Sequence, residues 1–189
     1  LEHDFIDVNG QSRINVKIKS NTETDINGTG AAVTQADVNK LVRKLKNLLK
    51  EGDWLIVCGS VPSTLGASAY ADMFKKLKSV QGVNIVVDAT GKLLTETLKY
   101  RPFLIKPNVY EMCEIFGLNT IPDIEEIFAR ARSLQDMGAR NVIVSMGSAG
   151  AAMVTETKKS MFVRAARGQL VNSVGAGDSM IAGFIHDYI

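Results

Sequence analysis

Polar and apolar positions change period several times along the chain. From Ser12 to Ser20 they alternate strictly. Ile14, Val16 and Ile18 fall on one face and Arg13, Asn15, Lys17 and Lys19 on the other, the period of a half-buried strand. Asn21 and Asn27-Gly28 are turn signals around a short second segment, so residues 1–30 read as a small β element apart from the main core. From Thr34 the period lengthens. Val38, Leu41, Val42, Leu45, Leu48 and Leu49 keep helical spacing, with Thr34 as cap and Asp37 placed to reach back to it. Gly52-Asp53 ends that helix. The unbroken apolar run Trp54-Leu55-Ile56-Val57-Cys58 then predicts a strand buried on both faces.

The unit repeats. Strands are expected at 83–88, 103–105 and 142–144, and helices at 67–78, 93–100, 108–116 and 124–134. Two short segments, 151–155 and 160–164, flank a polar turn and suggest a late hairpin. Met180, Ile181, Phe184 and Ile185 give the last stretch a helical apolar face. This order predicts an α/β fold over residues 31–189, a doubly wound, mostly parallel sheet with helices on both faces. Polar residues follow the strands at Ser60, Asp88, Lys106, Asn108 and Ser145. In such folds the carboxyl ends of the strands form the ligand-binding rim.

Composition narrows the function classes. With 22 basic and 20 acidic residues the net charge is +2, which gives no electrostatic case for nucleic acid or a membrane surface. No apolar run reaches membrane-spanning length and there is no signal-peptide pattern. Cys58 and Cys113 are far apart and lie in apolar stretches, which fits a reducing, cytoplasmic setting. His3 and His186 pair with nothing at metal-ligand spacing. The chain begins with Leu1-Glu2-His3 and its last helix runs to Ile189, so it is expected to be a stretch of a longer protein, cut at both ends.

The chemistry is expected around Gly175-Ala176-Gly177-Asp178, where a glycine turn opens the last helix. Free N–H groups and the helix dipole make an anion site there, and Asp178 falls beside it in the first turn. A carboxylate at an anion hole suits deprotonation of a hydroxyl while charge builds on a transferring phosphoryl group; the plainer reading is a helix whose first turn favours an acid. Lys106-Pro107-Asn108 with Glu111 is a second candidate. Asn108 and Glu111 could hold the water shell of Mg²⁺ and Lys106 could meet a phosphate, or the set is a capping box and a surface lysine. Ser145 to Gly150 follows a buried strand with glycines that a nucleotide could lie against, or is a tight turn. Arg13, Asn15 and Lys17 could grip a sugar phosphate and Gly59-Ser60-Val61-Pro62 could close over a sugar; the alternatives are a solvated strand face and an ordinary turn. Neither a P-loop nor a strand-following Gly-x-Gly-x-x-Gly is present, which excludes P-loop kinases and argues against dinucleotide-binding oxidoreductases.

Taken in order, these segments resemble a known family. Val174-Gly175-Ala176-Gly177-Asp178-Ser179 followed by Ala182-Gly183-Phe184 resembles the signature of the ribokinase-like (PfkB) carbohydrate kinases. Lys106-Pro107-Asn108-x-x-Glu111 is similar to their magnesium and phosphate motif, and Val144 to Gly150 to their nucleotide segment. Ser12 to Lys17, Gly59 to Pro62 and Asp88-Ala89-Thr90-Gly91 look most like the 1-phosphofructokinase and tagatose-6-phosphate kinase branch. The resemblance implies ATP and Mg²⁺ as cofactors and a sugar phosphate as substrate, fructose 1-phosphate before tagatose 6-phosphate. It implies Asp178 as base and Gly175, Ala176 and Gly177 as anion hole. Asn108 and Glu111 would position Mg²⁺ indirectly. Lys106, Val174, Ser145, Gly147, Ser148, Ala149 and Gly150 would contact ATP, and Arg13, Asn15, Lys17, Ser60 and Asp178 the sugar phosphate. Residues 1–30 would be part of a β lid that also pairs two copies into a homodimer. A non-catalytic sensor of the same fold is the competing class, against which the retained Asp178, Asn108 and Glu111 argue. Ala89-Thr90, Met146 and Ser173 depart mildly from the branch. The family's glycine-rich sugar-binding stretch and its C-terminal remainder are not in this sequence, and no Gly-Gly pair occurs.

Overall fold

The structure, a computed structural model, describes residues 3–19, 23–169 and 174–189; the side chains of Lys17, Lys19, Glu23 and Asp25 are not described. The expected turn at Asn21 and the start of the glycine motif at Val171-Asn172-Ser173 therefore lie outside the described residues. Strands β1 (Asn15–Lys19) and β2 (Glu23–Asn27) pair antiparallel as a two-stranded ribbon, Val16 opposite Ile26. This ribbon corrects one expectation. Its apolar face is open rather than half-buried: Ile14 is 73% exposed, Val16 46% and Ile18 47%. Strict alternation marks an apolar face but does not say what covers it.

The main sheet has six strands in the order β3 (Trp54–Cys58), β4 (Asn84–Asp88), β5 (Leu104–Ile105), β6 (Asn141–Ser145), β7 (Ala151–Val154) and β8 (Ser160–Val163). The first four are parallel and the last two form the expected antiparallel hairpin. The helices are α1 (Gln35–Leu48), α2 (Ala69–Leu77), α3 (Gly91–Thr95), α4 (Val109–Phe116), α5 (Ile124–Asp136) and α6 (Ala176–Tyr188). The helix expected at 93–100 is split. Thr97 N–H and its hydroxyl both donate to Leu94 O, three residues back, and a 3₁₀ turn at Leu98–Tyr100 replaces the last α turn.

Alternate residues of the central strands feed two cores. Val87, Ile105, Val142 and Val144 face one side, against α1 to α5; Val86, Leu104 and Ile143 face the other, against Ile181 and Ile185 of α6. Helices thus cover both faces, five against one. Each aliphatic side chain buried this way is worth about 1.5–3 kcal/mol. The strand at 54–58 departs from the expectation of burial on both faces: Val57 is buried but Ile56 is 44% exposed and Cys58 is exposed. Among the described residues β3 is the edge of the sheet, and α6 reaches only its first residue. Trp54 packs edge-on to Phe103 with ring centres 4.8 Å apart, and Tyr188 sits 4.9 Å from Phe103. This aromatic cluster anchors the end of α6 at the amino ends of the strands, so its beginning stands at the carboxyl rim.

Candidate active site

At that rim α6 starts without a side-chain cap among the described residues. Thr34, Asn108 and Asp123 each accept a bond from a backbone N–H in the first turn of α1, α4 and α5; Gly175, which precedes α6, offers nothing comparable. Gly175 takes a φ of +78°, a conformation open to glycine. Gly177 differs, with an ordinary φ and a close neighbour. A Cβ there would come within 3.1 Å of Lys106 Nζ and 3.9 Å of Asp88 Oδ2. Helix end and ammonium are therefore in near contact, and both favour an anion.

Lys106 comes from the end of β5 and is 6% exposed, its Nζ 3.2 Å from Asp88 Oδ1 at the end of β4. Asp178 is exposed on the first turn of α6. Its charge is felt at Cys58, an exposed residue whose partly shielded thiol is pushed up first by desolvation and then by the carboxylates of Asp88 and Asp178, with Lys106 opposing. Residues 58, 88, 106 and 178 thus gather from three strand ends and one helix. The sequence placed Asp88 on this rim but gave it no role in the site. Its signal was available: a lone carboxylate closing an otherwise apolar strand.

Asn108 and Glu111 form a complete capping box. Glu111 N–H donates to Asn108 Oδ1 at 2.9 Å and Asn108 N–H to Glu111 Oε2 at 2.8 Å. The plainer reading of this pair is thus real. Yet the box stands at the rim. Burial raises the Glu111 carboxyl above the ordinary range, while the Asn108 N–H and the charge of Lys106 pull it back. Asn108 also bridges to Ser145, whose N–H donates to Pro107 O at 3.1 Å. From Ser145 the chain makes a tight turn, Met146 N–H to Gly150 O at 2.9 Å, with a 3₁₀ segment at Gly147–Ala149. Its two glycines differ. A Cβ at Gly150 would strike Val163 O at 2.0 Å, so strand packing alone demands it, whereas Gly147 faces open space. Between Ser145, Gly147, Ser148 and Gly150 on one side and Ala176 and Gly177 on the other lies a cavity of about 500 Å³. The expected nucleotide segment and anion hole thus share one space. Gln169 and Met180, which also line it, were not expected. Val174, exposed, immediately precedes Gly175.

Of the residues expected to hold a sugar phosphate, two meet. Arg13 Nη1 donates to Ser60 Oγ at 2.6 Å, tying the ribbon to the turn after β3. Asn15, exposed, begins β1 opposite Asn27; Lys17 pairs with Asp25 in the ribbon register, its side chain outside the description.

The sequence profile of the pfkB family carbohydrate kinases matches residues 1–189. A 1-phosphofructokinase from Bacillus subtilis is 40% identical over 98% of this chain and 60% of its own length. A D-tagatose-1-phosphate kinase from Bacillus licheniformis is 31% identical over 96% of this chain and 59% of its own. The tetrameric inhibited form of phosphofructokinase-2 from Escherichia coli superposes with a TM-score of 0.81 at 23% identity, covering 93% of this chain and 58% of that one, a likeness of fold. The chain thus spans about 60% of the length of the curated relatives it matches. No helix among the described residues is long and apolar enough to cross a membrane. The match along the whole chain and the ribokinase-like α/β fold together make this chain a member of the pfkB family of carbohydrate kinases.

Proposed function

We propose that the protein transfers the γ-phosphoryl group of ATP to a free hydroxyl of a sugar phosphate, converting D-fructose 1-phosphate to fructose 1,6-bisphosphate. The observation that carries this reading is the glycine-opened end of α6, with Lys106 against Gly177 and Asp178 in the same turn. Asp178 takes the proton of the sugar hydroxyl as its oxygen attacks phosphorus and the bond to ADP breaks. The N–H groups of the first turn and the Lys106 ammonium stabilise the charge that builds on the phosphoryl oxygens. The cavity along Ser145 to Gly150 would hold the nucleotide. Asn108 and Glu111 suit Mg²⁺ held through its water shell: the box uses one Glu111 oxygen, and a nearby cation offsets the cost of burying the carboxylate. Bound there, Mg²⁺ supplies charge neutralisation for the phosphates.

Arg13, Asn15, Lys17 and Ser60 are assigned to the sugar phosphate. The ribbon acts as a lid, and its open apolar face of Ile14, Val16, Ile18 and Ile26 suits pairing with a second copy. The free thiols of Cys58 and Cys113 fit a cytoplasmic setting. A tagatose phosphate is the second reading, favoured by the tagatose-1-phosphate kinase relative.

The test is ADP release by the protein over its complete natural sequence, with fructose 1-phosphate, tagatose 1-phosphate and tagatose 6-phosphate compared. Asp178→Asn should lower turnover about 10³-fold and leave ATP binding nearly intact. Near-normal turnover in that variant would remove Asp178 from the role.

A further inference from the structure

One buried hydroxyl near the rim has no part in the mechanism above. Tyr70, on α2, is 9% exposed, and its hydroxyl reaches two successive carbonyls, Cys58 O at 2.8 Å and Gly59 O at 3.1 Å. These carbonyls belong to the point where the chain leaves the sheet. Gly59 turns there with a φ of +83°, and its N–H makes the last bond to β4, to Asp88 O at 2.9 Å. The next residue is Ser60, which accepts from Arg13. The Tyr70 ring is held separately, in the core with Met73 and Phe74. Burial pushes its phenol up to about 12, so it stays a donor across the working range.

We infer that Tyr70 is a positioning residue for the acceptor side. Its hydroxyl fixes the turn at Cys58 to Ser60, so that Ser60 stands against Arg13 of the lid, and it does so from a helix that carries none of the residues assigned to either substrate. This rests on the assignment of Arg13 and Ser60 to the sugar phosphate. The carbonyl next to Asp88 is tied down by the same donor, but Asp88 itself is held by Lys106. The effect therefore falls on the acceptor rather than the nucleotide.

Tyr70→Phe keeps the ring and deletes the donor. In the complete natural sequence, KM for fructose 1-phosphate should rise about 5–10-fold, the value of one or two lost hydrogen bonds, with kcat within about twofold and KM for ATP unchanged. Ser60→Ala should cost less in the Tyr70→Phe background than alone, because both act through one turn. Amide exchange over 58–61 should quicken while β4 and β6 keep their protection. Equal losses for both substrates, fully additive effects or unchanged exchange at 58–61 would overturn the inference. If the parent protein turns over none of the sugar phosphates, the kinase reading falls, and the exchange measurement still decides whether Tyr70 holds the turn.

Discussion

Two helices of this protein begin with the same device and use it differently. At α1, Asp37 N–H donates to Thr34 Oγ1 at 3.3 Å and Thr34 N–H to Asp37 Oδ2 at 3.1 Å; at α4, Asn108 and Glu111 make the same reciprocal pair at 2.9 and 2.8 Å. The surroundings are opposed. The Thr34 hydroxyl and Lys40 draw the Asp37 carboxyl down to about 2. Burial drives the Glu111 carboxyl up despite its bond to Asn108 N–H and the nearness of Lys106. Both acids are partly covered, but at Asp37 the hydrogen bonds and Lys40 outweigh the cost of burial, whereas at Glu111 burial wins. Glu111 sits where its charge is costly, within the field of Lys106 and next to Asn108, which bridges to Ser145. The proposed Mg²⁺ role of Glu111 rests on this difference.

The largest break between the two boxes should appear in activity. Glu111→Gln retains an acceptor for Asn108 N–H but removes the charge. We expect the Mg²⁺ concentration for half-maximal turnover to rise about 10–100-fold, the range for groups that act on a metal through its outer shell. Asp37→Asn, at the other box, should leave the Mg²⁺ dependence unchanged. Titration of turnover with Mg²⁺ in both variants decides it, and equal behaviour would reduce Glu111 to a cap.

Truncating the caps should give a smaller contrast, in stability. Thr34→Ala loses an exposed cap, at a cost of about 1 kcal/mol. Asn108→Ala leaves a part-buried N–H of Glu111 without its acceptor and should cost about 2 kcal/mol, the upper end for such losses. Urea unfolding at neutral pH measures both, and a larger loss at Thr34 would contradict the burial difference.

Both boxes were legible in the sequence as residue types at a spacing of three, because a capping box is a local device. What surrounds them was not. Strict alternation around Ile14, Val16 and Ile18 located a strand but not the open face it presents, and the apolar run at Trp54 to Cys58 did not reveal that α6 covers only its first residue. Period reports which side chains share a face; burial depends on partners far along the chain. The site divides the same way. Gly175 to Asp178 could be read from a glycine turn before a helical period. The ion pair of Asp88 with Lys106, the demand of Val163 O for glycine at 150 and the Tyr70 hydroxyl under the turn at Cys58 are long-range contacts that no spacing encodes.

The finest contrast between the boxes is the sign of a slope against pH. Asp37 binds its proton less readily in the folded chain than in the unfolded one, so between its unfolded value of 3.8 and about 2 the unfolded chain holds more protons. The stability it contributes is full above that window and is lost as pH falls through it. Glu111 is shifted the other way from 4.5, so just above that value the folded chain holds more protons, and stability declines as pH rises. Set against the parent protein, Asp37→Asn should therefore lose least at the acid end, and Glu111→Gln should gain relative stability as pH climbs from 4.5. Urea midpoints at half-unit steps of pH from 2.5 to 7 would show two difference curves of opposite slope. A common sign would mean that burial does not govern Glu111, and the case that its position serves a cation rather than the helix would lose its physical ground.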